Sequence, residues 1–342
     1  MTQDIRPPPG VIDAYDLDPA SIRTLSGGLI NRSFSAAQRD GSPCVLQRLN
    51  PIFPAEVDAD LDAVTRHLHD KGLETPRLVR TGTGERDVAV DGATWRLLTR
   101  VEGETHEILE TDTQAAEAGR LLGEFHSALA DFDEPLHSTR PRVHDIERHL
   151  AALRRALDEH GSHSAHKAVA DLAEKIFGLS AGLEPLPTGP DRLVHGDPKI
   201  SNIIFRSGRA VCLVDLDTIA RMPVAFELGD ALRSWCNPAG EDSLEASLSI
   251  ERFRLALTGY QAGAPGLLTP AEWRAIPNAT LAISVELAAR FAADALNESY
   301  FSWDRKRFAS AREHNSVRAQ AQLALAECLR SALPSLRCLV AP

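Results

Sequence analysis

Apolar and polar positions in the first third of the chain follow the pattern of short strands separated by turns. TLSGGLINRSFSAAQ (residues 24–38) and PCVLQRLN (residues 43–50) predict a pair of strands linked through glycines, and TWRLLTRVEG (residues 94–103) predicts a later strand. Between them, residues 55–72 predict one helix. Its apolar positions recur in steps of three and four, at Val57, Leu61, Val64 and Leu68.

The pattern becomes mostly helical after about residue 104. Residues 112–132, 144–158 and 165–180 predict three helices, and the last 70 residues predict further helices rich in Ala and Leu. Within this helical part, SNIIFRSGRAVCLVDLD (residues 201–217) predicts two apolar strands joined at Ser207-Gly208.

These elements predict an α+β fold with a small β-rich lobe and a larger helical lobe. We expect a loose, proline-rich N-terminus over residues 1–10, an N-terminal lobe over 11–101 and a C-terminal lobe over 102–342. The hinge between the lobes is predicted near Arg100 to Gly103.

Composition narrows the class of protein. The 342 residues are 43% hydrophobic and 25% charged, which is typical of a globular chain, and the formal charge is 37 − 48 = −11. That charge argues against a nucleic-acid or acidic-membrane partner, and no apolar stretch is long enough to cross a bilayer. The five cysteines are scattered and include no CxxC pair, so we expect a cytoplasmic protein without disulfides. The sequence does not indicate an oligomeric state.

The stretch HGDPKISN places polar side chains between two apolar runs. Its spacing, His195-x-Asp197-x4-Asn202, is the catalytic-loop pattern of protein kinases. Phosphoryl transfer needs a carboxylate that accepts the proton of the attacking hydroxyl, and oxygen ligands for Mg²⁺. Asp197 could act as the base and Asn202 as a metal ligand, while Lys199 could contact the γ-phosphate of ATP.

A second acidic site supports this interpretation. Asp215 ends the apolar strand thirteen residues after Asn202, where kinases place a metal-binding Asp, and Asp217 could face a second metal or solvent. Without Asp215, HGD could be a solvated turn and Asn202 a loop-capping residue. The combination favours a catalytic site.

The Gly-rich turn and the strand after it predict a nucleotide site. Backbone amides of Ser26, Gly27, Gly28 and Leu29 could approach phosphates closely. Kinases place a Lys on the next strand, but this chain has no lysine before Lys71. Arg48 is the predicted substitute, on the same strand face as Cys44 and Leu46, with Gln47 as the alternative. Asp60, ahead of Glu56, is the predicted carboxylate partner from the following helix.

Together these motifs resemble the aminoglycoside phosphotransferase superfamily of small-molecule kinases, over nearly the whole chain. The resemblance implies a bilobal protein-kinase-like fold, ATP and Mg²⁺ as cofactors, and a small-molecule hydroxyl as acceptor. It places the adenine of ATP on the backbone around Arg100 and Val101.

Several segments resemble one branch of the superfamily, the N-acetylhexosamine 1-kinases: VLQRLNPIFP, VHDIER, GDALRSWCNPAGED, ELAARFAADALNESYF and HNSVRAQAQLAL. This resemblance implies a sugar acceptor contacted by Arg290, Tyr300 and, more weakly, Arg233. Leu29 stands where the branch has a His, and a leucine side chain cannot donate a hydrogen bond. Another sugar or a polyol therefore stays open as the acceptor.

Further alternatives concern function and supporting residues. An aminoglycoside, homoserine or choline-type kinase has the same motifs, and a nucleotide-binding pseudokinase would explain the missing strand Lys. Asp230 is expected to brace the catalytic loop by accepting hydrogen bonds from its backbone or from His195. His126 is expected to be a packed histidine, and His144 with Asp145 a helix cap.

Overall fold

The computed structural model describes residues 6–25, 31–54, 56–138, 144–185 and 189–340. The chain divides into two compact units. The first contains Met1–Glu102 and Asp131–Thr139, and the second contains Gly103–Ala130 and Arg140–Pro342.

The first unit is built on an antiparallel sheet. Its elements within the described ranges are α1 (Pro9–Ala14), β1 (Arg23–Thr24), β2 (Arg32–Ala37), β3 (Pro43–Arg48), α2 (Val57–Asp70), β4 (Leu78–Val79), β5 (Asp87–Val90) and β6 (Ala93–Thr99). The strands lie in the order β1-β2-β3-β6-β4, and β5 also pairs with β6. The strands predicted over 24–38, 43–50 and 94–103 are thus confirmed as β2, β3 and β6.

Both helices of this unit pack through apolar side chains. Helix α2 buries Val57, Leu61, Val64 and Leu68, the face that the sequence predicted. Helix α1 begins at Pro9, inside the segment that was expected to be loose. Proline at the first helical position has a fixed φ that suits a helix, and Val11 anchors α1 in the core beside Leu46 and Trp95.

The second unit is mainly helical. Its elements within the described ranges are α3 (Asp112–Ala128), α4 (Ile146–Glu159), α5 (His166–Ser180), β7 (Asp191–Val194), β8 (Ile203–Arg206), β9 (Arg209–Leu213), β10 (Ala220–Pro223), α6 (Val224–Trp235), α7 (Ile250–Gly263), α8 (Pro270–Asn297) and α9 (Ala311–Leu339). The predicted helices and the predicted hairpin are confirmed. Strands β8 and β9 join at Ser207-Gly208, where both residues have positive φ, as in a tight hairpin turn.

Helices α3 and α7 pack with their backbones in close contact. A Cβ atom added to Gly119 would lie 2.0 Å from the Ala256 carbonyl oxygen, and one added to Gly259 would lie 1.9 Å from the Ala116 carbonyl oxygen. Only glycine permits this approach at both positions. No helix among the residues described is long and apolar enough to cross a membrane.

Candidate active site

The predicted catalytic loop, residues 195–202, starts where β7 ends. His195 is fully buried, and its ring Nε2 lies 2.9 Å from the Val214 carbonyl oxygen. Its Nδ1 accepts the Asp197 backbone N–H at 3.3 Å. A carbonyl can only accept and an N–H can only donate, so the proton of the neutral ring is on Nε2. His195 therefore ties the loop to the chain just before Asp215.

A buried carboxylate on α6 holds the backbone of this loop. Glu227 accepts the N–H of His195 at 2.7 Å and the N–H of Gly196 at 2.9 Å. Burial raises the pKa of Glu227, but hydrogen bonding and the charge of His126 outweigh it, so that the pKa lies below its usual value. His126 in turn lies 2.8 Å from the Tyr260 hydroxyl through Nδ1, and is packed at the helix interface as predicted.

Glycine is required at the turn of the loop. Gly196 has φ +85°, and a Cβ atom there would lie 2.1 Å from the Thr218 carbonyl oxygen. The Thr218 hydroxyl donates to the His195 carbonyl at 2.9 Å, and the Trp235 indole N–H donates to the Pro198 carbonyl at 2.8 Å. The loop is thus held from two sides.

We expect Glu227→Gln to lower the free energy of unfolding by about 1–3 kcal/mol. The amide has one oxygen, so one of the two buried N–H groups, on His195 or Gly196, loses its acceptor. Urea unfolding measures the change. Glu174→Gln, on the exposed side of α5, serves as a control and should change stability by less than about 0.5 kcal/mol. Equal stability of Glu227→Gln and wild type would contradict this role.

Asp197, Lys199 and Asn202 form one hydrogen-bonded group. The Lys199 ammonium lies 2.6 Å from Asp197 Oδ2, and Asn202 Nδ2 donates to the Asp197 carbonyl at 2.8 Å and to Oδ2 at 3.3 Å. Burial raises the pKa of Asp197, but the charge of Lys199 outweighs it and keeps the pKa below its usual value. The side chain of Asp197 is 26% exposed, so an ionised carboxylate is open to a ligand.

Asp215 lies beside this group. The Val214 N–H donates to the Asn202 carbonyl at 2.9 Å, and Asp215 then adopts φ 64°, a backbone conformation that is uncommon outside glycine. Burial and the neighbouring Asp217 raise the pKa of Asp215. Among the described residues none donates a hydrogen bond to its carboxylate. The Val214 bond brings Asp215 into the same stretch as Asn202, and a carboxylate without a donor and an amide oxygen are both ligands that a hard divalent cation prefers.

The strand–helix ion pair of the first unit differs from the prediction. Arg96 on β6 donates to Asp58 on α2 at 2.8 Å and to Gln47 on β3 at 2.7 and 2.9 Å, and both charged side chains are almost fully buried. Arg48 lies on the opposite face of β3 from Gln47, and none of these bonds involves it. Side chains alternate along a strand, so Gln47 rather than Arg48 faces α2.

The prediction that Asp60 pairs with Arg48 is also wrong. Its carboxylate accepts the backbone N–H of His137 at 2.7 Å and of Ser138 at 2.8 Å, so it anchors that loop instead of pairing with Arg48. Glu56 precedes α2 without capping it. The predicted phosphate turn, Ser26 to Leu29, lies outside the described residues.

The predicted hinge residues lie at the end of the sheet. The Arg100 N–H donates to the Pro43 carbonyl at 3.3 Å, and the Arg100 side chain lies 3.6 Å from the Glu102 carboxylate. Val101 is half-buried, and the next residue, Glu102, ends this part of the first unit.

Arg290 and Tyr300 lie together in the second unit. The Arg290 guanidinium carbon is 5.9 Å from the centre of the Tyr300 ring and 5.5 Å from that of Phe301. Buried Asp294 accepts the backbone N–H groups of Ser299, Tyr300 and Phe301 at 2.8–3.0 Å. The carboxylate thus fixes the loop that carries Tyr300, whose ring is 64% exposed.

Arg233 is not open to a ligand. It is 4% exposed, and its N–H groups donate to Asp230, Glu241 and Gln322. The expectation that Asp230 braces the catalytic loop is wrong, because its carboxylate binds Arg233 and Glu227 holds the loop. Glu227 and Asp230 are three positions apart on one helical face, so the sequence alone did not show which of the two carboxylates holds the loop.

His144 belongs to a buried cluster. Its Nδ1 lies 3.1 Å from Glu286 Oε1, and its ring stacks on Phe226. Arg290 lies 4.0 Å from the same carboxylate. Asp145, as predicted, caps α4 by accepting the Arg148 N–H at 3.0 Å, whereas His144 does not cap it. Glu286 could not be identified as part of this cluster from the sequence.

The His144–Glu286 pair predicts a pH-dependent contribution to stability. Burial lowers the pKa of His144, but Glu286 outweighs it and the pKa lies above its usual value. A histidine whose pKa is higher in the folded state than in the unfolded state stabilises the fold fully at a pH below its unfolded-state pKa, about 6.5. This stabilisation is lost as the pH rises through the folded-state pKa. The advantage of wild type over His144→Gln in unfolding free energy should therefore be full below about pH 6.5 and decline as the pH rises through the raised folded-state pKa. A constant difference would contradict this.

The loop from His195 to Asn202, together with the neighbouring Asp215, has the residue pattern from which the sequence predicts a phosphotransferase. Residues 21–265 match the phosphotransferase enzyme family, and the chain belongs to that family. It is an enzyme that transfers a phosphoryl group to a hydroxyl of a small molecule.

Individual relatives agree with this class. A homoserine kinase of Mesorhizobium japonicum is 26% identical over 263 residues, which are 76% of each chain. Among solved structures, a microcompartment-associated aminopropanol kinase superposes with a TM-score of 0.64 at 18% identity, covering 95% of this chain and 97% of that one. An amicoumacin kinase in complex with AMP-PNP, Ca²⁺ and its ligand superposes with a TM-score of 0.63 at 14% identity, covering 92% and 91%. These likenesses show the kinase-like fold.

Proposed function

We propose that the protein is an ATP- and Mg²⁺-dependent kinase that phosphorylates a sugar hydroxyl, in the manner of the N-acetylhexosamine 1-kinases. The observation that carries the chemistry is the ionised, partly exposed Asp197 carboxylate held by Lys199 and Asn202. Asp197 accepts the proton of the acceptor hydroxyl as its oxygen bonds to the γ-phosphorus. The bond from that phosphorus to the bridging oxygen breaks, and ADP leaves.

Cations would neutralise the negative charge of the transferred phosphoryl group. Lys199 would contact the γ-phosphoryl, and the raised pKa that Asp197 and Asp215 give it, despite burial, keeps it charged. The Asn202 amide oxygen and the Asp215 carboxylate would hold Mg²⁺, which neutralises phosphate charge when bound. Positioning and electrostatics then supply most of the rate enhancement.

Nucleotide contacts are proposed in the first unit. Arg100 and Val101 offer backbone groups for adenine, and the turn from Ser26 to Leu29 would supply amides for the phosphates.

Arg290 and Tyr300 are the proposed acceptor contacts. The Tyr300 ring is exposed on a loop fixed by Asp294, and Arg290 lies beneath it with its side chain 16% exposed. An aromatic face and a guanidinium are suited to a ring that carries hydroxyl and carbonyl groups.

A second candidate is an amino-alcohol or homoserine kinase. The named activity of the Mesorhizobium japonicum relative favours it, as does the partly exposed carboxylate of Glu241, which could attract an ammonium group. An ADP-release assay with N-acetylhexosamines, other sugars, polyols, homoserine, choline and aminoglycosides separates the two. Release stimulated by sugars supports the first candidate, and release stimulated only by amines replaces it with the second.

A further inference from the structure

Arg233 uses its charge to fix a carboxylate beside the catalytic loop. It donates to Asp230 at 2.9 and 3.0 Å, and its Nη1 donates to Glu241 Oε1 at 2.5 Å. Arg233 is 4% exposed, whereas the side chain of Glu241 is 35% exposed. A buried, rigid cation thus anchors one oxygen of a carboxylate that reaches the surface.

The helix that carries Arg233 is bonded to the catalytic loop at its next two residues. The Ser234 hydroxyl accepts the Ile200 N–H at 3.2 Å, and the Trp235 indole donates to the Pro198 carbonyl at 2.8 Å. Arg233 therefore lies next to the loop that presents Asp197.

The charges of the same residues also reach the catalytic pair. Burial raises the pKa of Asp197, and the charges of Lys199 and Arg233 oppose it. Burial lowers the pKa of Lys199, and Asp197, Asp215 and Glu241 oppose it. The Arg233–Glu241 bond and the two bonds from α6 to the loop place Glu241 on the same side of the loop as these charges.

The second oxygen of Glu241 is open. Within the described part of the chain, Arg233 is its ion-pair and hydrogen-bond partner, through Oε1 alone. The carboxylate of the next residue, Asp242, is fully paired by contrast. It lies within 3.1 Å of Arg307, His314 and Arg318. Glu241 Oε2 is therefore a fixed acceptor without a donor.

We propose that Glu241 determines acceptor specificity by accepting a hydrogen bond from a second donor group on the acceptor, a hydroxyl or an ammonium. The inference rests on the proposed kinase function and deepens it. Acceptors with a donor near the phosphorylated hydroxyl are preferred over their deoxy or deamino analogues. The Glu241 carboxylate determines specificity and takes no proton in the reaction.

The test uses the best acceptor found by ADP release, with its analogues that lack one donor. Glu241→Ala is expected to raise the KM for the acceptor about 10- to 100-fold and leave the KM for ATP unchanged. The analogue should be worse than the acceptor for wild type but equal to it for Glu241→Ala. Glu241→Gln keeps an oxygen for Arg233 and presents an amide N–H to the acceptor in place of Oε2. A hydroxyl can accept a hydrogen bond from that N–H and an ammonium cannot, so the KM should be largely restored for a hydroxyl and not for an ammonium.

Control variants separate this role from a structural one. Glu245→Gln changes an exposed carboxylate four residues on and should behave as wild type. An unchanged acceptor KM in both Glu241 variants, or full discrimination against the analogue in Glu241→Ala, would overturn the inference while the kinase function stands. No ADP release by wild type with any acceptor would overturn both.

Discussion

Asp197→Asn is expected to lower kcat by about 10²- to 10⁴-fold, while ATP binding is retained. An amide cannot accept the hydroxyl proton, but it preserves the size of the side chain and a hydrogen bond to Asn202. The Asp197 carboxylate also balances the Lys199 ammonium at 2.6 Å, so its loss leaves that charge free to bind phosphate. Steady-state ADP release measures kcat, and equilibrium titration with a nucleotide analogue measures binding.

The matched control is Asp158→Asn. Asp158 is exposed near the end of α4, and the same chemical change there should leave kcat at the wild-type value. Turnover by Asp197→Asn within about threefold of wild type would rule out its role as base, because general-base contributions start at about 10²-fold.

Gly259→Ala has the largest expected effect on stability. The added methyl group would lie 1.9 Å from the Ala116 carbonyl oxygen, and the contact is backbone against backbone, so neither side can rotate away. We expect the free energy of unfolding to fall by about 3 kcal/mol or more, at the upper end of overpacking effects. Helices α3 and α7 would have to separate, and α3 carries His126, which supports Glu227.

Gly178→Ala in α5 is the matched control. This glycine is also within a helix, but no atom lies within 4 Å of the position of an added Cβ. Alanine there should stabilise the protein by about 0.5–1 kcal/mol, since glycine loses more backbone entropy. If urea unfolding showed Gly259→Ala to be as stable as Gly178→Ala, the close packing of α3 on α7 would be contradicted.

Local sequence signals predicted much of the fold. The apolar face of α2 and the turn at Ser207-Gly208 depend on residues close in the chain, and both are confirmed. Helix α1 was missed because six residues give little periodicity, and its stability comes from packing of Val11 against the sheet.

Contacts between distant residues could not be predicted in the same way. Arg96 meets Gln47 and Asp58 only because β6 lies next to β3, an order set by the whole sheet. The sequence therefore favoured Arg48 with Asp60, whose carboxylate instead binds the loop at His137 and Ser138. Within the catalytic loop the short spacing was sufficient, and the structure brings Asp197, Lys199 and Asn202 into one hydrogen-bonded group.

Supporting residues were the hardest to identify from sequence. Glu227 and Asp230 lie on the same face of α6, and only the three-dimensional contacts show that one holds the loop and the other holds Arg233. Glu286 gave no signal within an Ala-rich helix, although it joins His144 and Arg290 in space.

The most direct test follows the phosphoryl group itself. Phosphorus NMR of the wild-type protein with ATP, Mg²⁺ and a sugar acceptor should show ADP and a sugar phosphate formed in equal amounts. The same mixture with Asp197→Asn should form both about 10²- to 10⁴-fold more slowly. Formation of ADP with inorganic phosphate and no phosphorylated acceptor, across the sugars and amino alcohols tested, would contradict transfer to a small-molecule hydroxyl.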